Sequence, residues 1–346
     1  MSDLLIDGFD WALAFVTSSF SLQIRLAPIY LASFAGIAYL VWLWQHRPGK
    51  FLGWLFPKNV YFHRSHRVDI QLFIVGRLLS LTGFFGSVFF PAIIASYVLA
   101  VLVVTVSGSY EPPPISVGRS LIVTLIIVVS TDFCVYWIHR VHHEAAALWP
   151  FHALHHSAEV LTPVTVYRKH PVYDLIAILV RSLLVGLVQG IVLFSLIGSL
   201  DIVTIGGANA FYVVFNLLGS NLRHSHIWLS YGPVLERIFI SPAQHQIHHS
   251  CAVEHINKNY GEIFAIWDWI FGTLFIPTRR ETLTFGLSDG AGRRIEQPHP
   301  TLAKAIIQPF QESGRVLGAR FSRALAAVTE TKVSRSGARA KSSRLR

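Results

Sequence analysis

Charge is scarce in this chain. Asp, Glu, Lys and Arg make up 14% of its 346 residues, where a soluble domain carries roughly a quarter. So few charges cannot cover a water-facing surface, which excludes a soluble globular protein. Cysteine is nearly absent too. Cys134 lies inside an apolar run and Cys251 directly follows a histidine motif, so no disulfide framework is expected. The sequence also lacks a Cys-x-x-Cys-His haem attachment and a Gly-x-Gly-x-x-Gly nucleotide fingerprint, so any electrons it uses must come from elsewhere. A basic leader is missing as well. Asp3, Asp7 and Asp10 stand where a cleavable signal would carry positive charge. The first 20 residues, with Trp11, Phe15 and Phe20, are instead expected at a membrane interface.

What is abundant is apolar. Hydrophobic residues reach 52% and the mean hydropathy is +0.49. A span needs about 20 apolar residues to cross about 30 Å of hydrocarbon. Leu26–Trp44, Ser120–Ile138, Asp174–Leu200 and Ile202–Leu222 qualify. The last two are expected to form a hairpin turning at residues 198–201. The stretch 70–106, interrupted by Arg77 and Pro91, reads as one span with an interfacial lead-in, or else as a hairpin of two. The single-span reading puts the loop 107–119, with Pro112, Pro113 and Pro114, outside. It also leaves Arg140, Arg168, Lys169, Arg223 and Lys258 in the cytoplasm. The expected fold is therefore all-α: a polytopic membrane protein of about five spans with a cytosol-facing helical cap. Three regions follow: a membrane region (1–119), a histidine-rich unit (120–276) and a cytosolic tail (277–346).

The net charge of +10 is concentrated in that tail. Residues 301–346 carry ten Lys and Arg against Glu312 and Glu330. Such a segment beside spans is expected to adhere to anionic membrane lipids rather than to nucleic acid. Leu317, Phe321, Leu325 and Val328 recur at helical spacing and predict an amphipathic surface helix, with 331–346 disordered.

Histidine is the anomaly: 17 residues, 13 of them between His139 and His255. The pattern His-x-x-His-His occurs three times, as His139-Arg-Val-His142-His143, His152-Ala-Leu-His155-His156 and His245-Gln-Ile-His248-His249. On a helix, positions i, i+3 and i+4 share a face, so each box can aim two or three imidazoles at one point. Together the boxes can hold two metal ions. Ferritin-like iron sites use bundle carboxylates, and these boxes contain none. A surplus of neutral nitrogen ligands suits a redox iron pair, although imidazole also serves Zn, Cu and Ni.

These runs, with Arg168-Lys-His-Pro171, Asn259-Tyr-Gly261 and Trp267-Asp-Trp-Ile-Phe-Gly-Thr273, resemble the fatty acid hydroxylase/sterol desaturase superfamily over roughly residues 120–275. The resemblance implies a membrane enzyme that oxidises C–H bonds of lipids at a cytosol-facing centre of two iron ions, replaceable by zinc in a preparation. It would use O2 and electrons from a separate ferredoxin or cytochrome. Carried over by position, it implies His139, His143, His152, His155, His156, His224, His245, His248 and His249 as metal ligands. It skips His142, and His226 stands where relatives often have Asn.

Asp132, two helical turns before His139, is expected to accept the N–H of a ligand imidazole and fix its tautomer. Ligand status is open at His142, His170 and His226. His46, His63, His66 and His299 read as interfacial or solvated, Arg77 and Arg181 as snorkelling, and Asn259, Tyr260 and Asp268 as ordering a loop over the metals. The expected activity is lipid hydroxylation. Desaturation at the same centre is the alternative, as is a metal transporter or bis-histidine haem protein. The lipid could be a fatty acyl lipid, a sterol, an ether lipid or an amino-acid-headgroup lipid.

Overall fold

A computed structural model describes residues 13–18, 21–83, 90–106, 111, 116–196 and 202–343, with the backbone alone at 202–209 and 325–343. The turn expected at 198–201, the Pro112–Pro114 loop, Trp11, Phe20 and the side chains of Leu325 and Val328 lie outside what is described. Among the described residues the chain is helical, with only three isolated bridges and no strand. The principal helices are α1 (Pro28–Trp44), α2 (Arg64–Leu81), α3 (Phe90–Thr105), α4 (Val117–Glu144), α5 (Trp149–His156), α6 (Pro171–Leu196), α7 (Ile202–Leu217), α8 (Pro242–His248) and α9 (Leu302–Ser343).

Two of these, α4 and α6, are long and apolar enough to cross a membrane, while α1 and α3 are shorter apolar helices. At 28 residues α4 runs about 42 Å. That exceeds the hydrocarbon thickness, so its last turns, which carry the first histidine box, extend past an apolar layer. Residues 70–106 hold most of the amphiphilic α2 and the apolar α3, an arrangement in keeping with a lead-in before one span as well as with a hairpin of two. α2 ends at Leu81, two residues before Gly83, which has φ +75°. It buries Ser65, His66, Val68, Asp69 and Leu72.

Packing between α6 and α3 is unusually close. A Cβ on Gly186 would lie 2.7 Å from Ile94 and 2.9 Å from the Pro91 carbonyl, and one on Gly190 would lie 2.6 Å from Val98. Two small residues four apart therefore let the backbones touch, as in membrane helix pairs. On another face α6 meets α4 through Val123, Ile127, Cys134, Val185 and Leu193.

The short helices are tied to this frame by polar contacts. Arg168 is wholly buried. Its guanidinium bonds Asp69 Oδ1 at 2.8 Å, the Leu154 carbonyl at 2.8 Å and Ser157 Oγ at 2.9 Å, joining α2 to the end of α5. Removing one partner of such a pair strands a buried charge, at a cost of about 3–5 kcal/mol. Two histidines expected to be solvated belong to this buried network. His66 contacts Thr162 Oγ1 at 3.0 Å, and His299 contacts Ser157 Oγ at 3.0 Å. His46 is exposed as expected.

The tail also differs from expectation. Its helix continues to Ser343 through the segment expected to be disordered. Its first turns do not lie free, because Leu302, Ala305 and Ile306 pack on Val68, Leu72 and Leu154. Leu317 and Phe321 are exposed.

Candidate metal centre

The nine imidazoles gather at one end of α4 in two groups. His139, His143, His152, His156 and His248 form one; His155, His224, His245 and His249 form the other, and within each the candidate ligand atoms lie within 4.8 Å of one another. The first box sends both His139 and His143 to the larger group, while the other two are divided. The second sends His152 and His156 to the larger group and His155 to the smaller, while the third sends His248 to the larger and His245 and His249 to the smaller.

Local chemistry sets each box. Pro150 stands in the first turn of α5, where its missing N–H costs nothing. The seven-residue α8 opens on a capping box: Ser241 Oγ accepts from Gln244 N at 3.1 Å, and Gln244 Oε1 accepts from Ser241 N at 3.0 Å. Gln246, inside the third box, donates to the carbonyls of Leu222 at 3.1 Å and Ile227 at 2.8 Å. It thereby fixes the segment that delivers His224.

Ring nitrogens face one another across each group. His248 Nε2 lies 2.9 Å from His139 Nε2, and His152 Nε2 lies 3.2 Å from His156 Nε2. In the second group His224 Nε2 is 3.2 Å from His155 Nε2 and 3.1 Å from His245 Nε2. Where Nδ1 has a partner, the partner is a carbonyl: Tyr260 for His139 and Lys258 for His248, both at 2.7 Å. A carbonyl only accepts, so Nδ1 carries the proton and the Nε2 lone pair points inward. Burial pushes His152, His155, His156, His224, His245 and His249 well below the usual imidazole range, reinforced by their neighbours, and takes His248 down to about 4. These rings are neutral at pH 7, the form that ligates. His143 Nε2 and both nitrogens of His249 are buried without a hydrogen-bond partner. Such nitrogens are costly unless a cation takes their lone pairs. The donor set therefore fits two metal ions.

The remaining candidates lie apart from both groups. His142 donates Nδ1–H to the Ile138 carbonyl at 2.7 Å and packs on Tyr173. His170 spends both nitrogens, on the Ile306 carbonyl and the Val172 N–H. His226 donates to the Trp54 carbonyl at 2.8 Å.

Asp132 does not accept from an imidazole. Seven residues of helix separate it from His139 by about 10 Å, so sharing a face does not bring contact. Its oxygens accept Ile263 N at 2.9 Å, Phe264 N at 3.1 Å and Trp267 Nε1 at 2.9 Å. Asp268, its carboxyl raised by burial, accepts the N–H groups of Tyr260 and Gly261 at 2.8 Å each. Asn259, at φ +57°, accepts from Phe275 N at 2.8 Å and donates to the Gln244 carbonyl. The two carboxylates and Asn259 thus hold the loop whose carbonyls brace His139 and His248. Arg168, Gln246 and these carbonyls are the parts that sequence reasoning missed. Only Arg168 carried a signal, in the Arg168-Lys-His-Pro171 run.

Three cavities adjoin the centre. The largest, about 760 Å³, is apolar and runs between α4 and α6 past Phe133, Trp137, Val180 and Leu184 to His142. None of the nine histidines lines it. His142, which does line it, packs on Tyr173 at 4.5 Å, and Tyr173 in turn stacks on His152 at 4.9 Å. A cavity of about 90 Å³ does reach five of the nine, from both groups. A third, about 420 Å³, meets both groups from another side, beside Trp149 and Glu312.

Residues 124–273 match the family model described as Fatty acid hydroxylase. An ornithine lipid hydroxylase of Rhizobium tropici is 32% identical over 189 residues, 54% of this chain and 50% of its own length. Alkylglycerol monooxygenase of Homo sapiens is 31% identical over 160 residues, 46% of this chain and 32% of its own. A Delta(7)-sterol 5(6)-desaturase of Gibberella zeae is 29% identical over 154 residues, 44% of this chain and 37% of its own. The matches thus span half or less of these relatives' length. No solved structure matches the chain. The segment that carries the three histidine boxes, residues 124–273, is a fatty acid hydroxylase domain of the superfamily that also holds the sterol desaturases.

Proposed function

We propose that this protein is a membrane-bound lipid hydroxylase whose nine histidines hold two iron ions, five on one and four on the other. Residues 120–276 form its catalytic unit, facing the cytoplasm. The observation that carries this reading is the gathering of nine buried or half-buried imidazoles in two adjoining groups, with no carboxylate in either. Bound there, an iron pair supplies the O2 chemistry needed to break an unactivated C–H bond, with electrons from a separate ferredoxin or cytochrome.

The chain's own part is positional. Tyr260 and Lys258 fix two tautomers through their carbonyls. Asp132 and Asp268 keep that loop closed over the site. The apolar cavity has the size of a ligand pocket, which typically spans about 300–1,000 Å³, and offers a dry place for an acyl chain. A transport pathway would string its ligands along the helices, whereas here they collect at one end of α4. The desaturase likeness supports a second reading, in which the same site removes two hydrogens.

Lipid extracts from cells with and without the protein decide between them by mass spectrometry. A +16 shift dependent on His155 supports hydroxylation, and a −2 shift supports desaturation. No shift in any lipid class would overturn both.

A further inference from the structure

Of the two cavities that touch both histidine groups, the one that reaches five of the nine imidazoles is small and charged. Its volume of about 90 Å³ is well below the roughly 300–1,000 Å³ of a typical ligand pocket, so it suits the reacting end of a lipid rather than a whole one. Besides histidines it is lined by Arg25, Lys169, Arg223 and Glu262. Lys169 also lines a neighbouring chamber of about 330 Å³, together with Arg77, Tyr167 and Asp174. Lys169 lines both, which sets the two chambers side by side next to the histidines.

The charges along these chambers do not cancel. Glu262 is the counter-ion of Arg25, at 2.6 Å. Despite the cost of burial, Arg25, Lys169 and Arg223 hold its carboxyl below the usual range. Arg223 is consumed internally by the carbonyls of Glu262 and Ile240 and by the ring of Phe215. Two cations remain poorly matched. Lys169 Nζ stands 4.0 Å from Asp174 Oδ1 and 5.8 Å from the Tyr173 ring. Arg77 Nε is buried with no hydrogen-bond partner. A pair of chambers with two under-used cations and one loosely placed carboxylate favours an anionic ligand.

We propose that the adjoining chambers are a headgroup site. An anionic lipid headgroup, phosphate or carboxylate, sits against Lys169 and Arg77, so the C–H bond presented between the two histidine groups lies within a few bonds of that headgroup. This deepens the hydroxylase reading and rests on it only for the identity of the reaction. A lipid oxidised far along its chain would instead have to enter by the cavity beside Trp149, or bring apolar carbon past Lys169 and Arg25 against their desolvation.

Calorimetric titration of the full chain, metal-free and in neutral detergent, tests the site with dodecyl phosphate, dodecanoate and dodecanol. Either anion should bind at least tenfold tighter than dodecanol, the stronger of the two naming the headgroup. Lys169→Gln should cost the anion tenfold or more and leave dodecanol unchanged, while Lys169→Arg restores binding. If Lys169→Gln aggregates, Arg77→Gln is judged by the same tenfold criterion. Equal affinity for dodecanol, or undiminished anion binding in the Gln variants, overturns the proposal. Fragmentation of a +16 product should place the new oxygen in the headgroup or the first few atoms beside it; a mid-chain position overturns the proposal as well. Because the titration needs neither metal nor O2, anion binding without any product would sink the hydroxylase reading while leaving the headgroup site standing.

Discussion

In the five-histidine group two imidazoles lean on backbone carbonyls; in the four-histidine group none does. His139 and His248 give their Nδ1 protons to Tyr260 and Lys258, whereas the Nδ1 atoms of His155, His224, His245 and His249 are all buried without a partner. The carbonyls come from one loop, fastened by Asp132 and Asp268. The smaller group is placed differently, by the backbone around it, through Gln246 and the caps of α8. Outer partners of ligand histidines are commonly worth 10–100-fold in metal affinity. The two groups should therefore hold metal unequally.

The largest effect comes from removing a ligand. His139→Ala and His155→Ala should each abolish product while membrane insertion and expression persist. Full turnover in either variant would remove that group from the centre. Graded chelation comes next. The four-histidine group should release its metal at about 10–100-fold lower chelator concentration than the five-histidine group, read as two steps in metal content. A single step would break the comparison.

A smaller effect should separate the groups from the other side. Asp132→Asn loosens the loop over residues 260–267, and metal affinity should fall by up to about tenfold in the five-histidine group alone. An equal loss from both groups would mean that the loop does not brace one selectively. The smallest selective effect belongs to a distant site. Gly190→Val forces a side chain into Val98 and should cost about 1–3 kcal/mol of stability. Thermal unfolding should register that loss, and the order of metal release should not change.

The boxes were legible in the sequence because i, i+3, i+4 spacing is a property of the helix itself. His224, which lies outside every box and came only with the family resemblance, joins them, and His142, which the spacing alone admits, stays out. The braces were not legible, since the acceptors of His139 and His248 are backbone carbonyls, which any residue type supplies. Asp132 shows the limit of a face argument: it shares a stripe with His139, but the stripe is about 10 Å long between them. What holds α2 was not legible in residues 70–106 either: Asp69 and His66 just upstream are committed to Arg168 and Thr162, which hold α2 to the histidine-box helices. His299 looked solvated because its partner, Ser157, is 142 residues away.

The central claim is that the two histidine groups are two metal sites, and metal content per chain tests it most directly. Elemental analysis of the purified protein should find two metal ions, iron or substituting zinc, and no haem absorbance. His139→Ala and His245→Ala should each retain one. Haem in the preparation, or wild-type protein that binds no more than one ion after saturation with iron, would contradict the account.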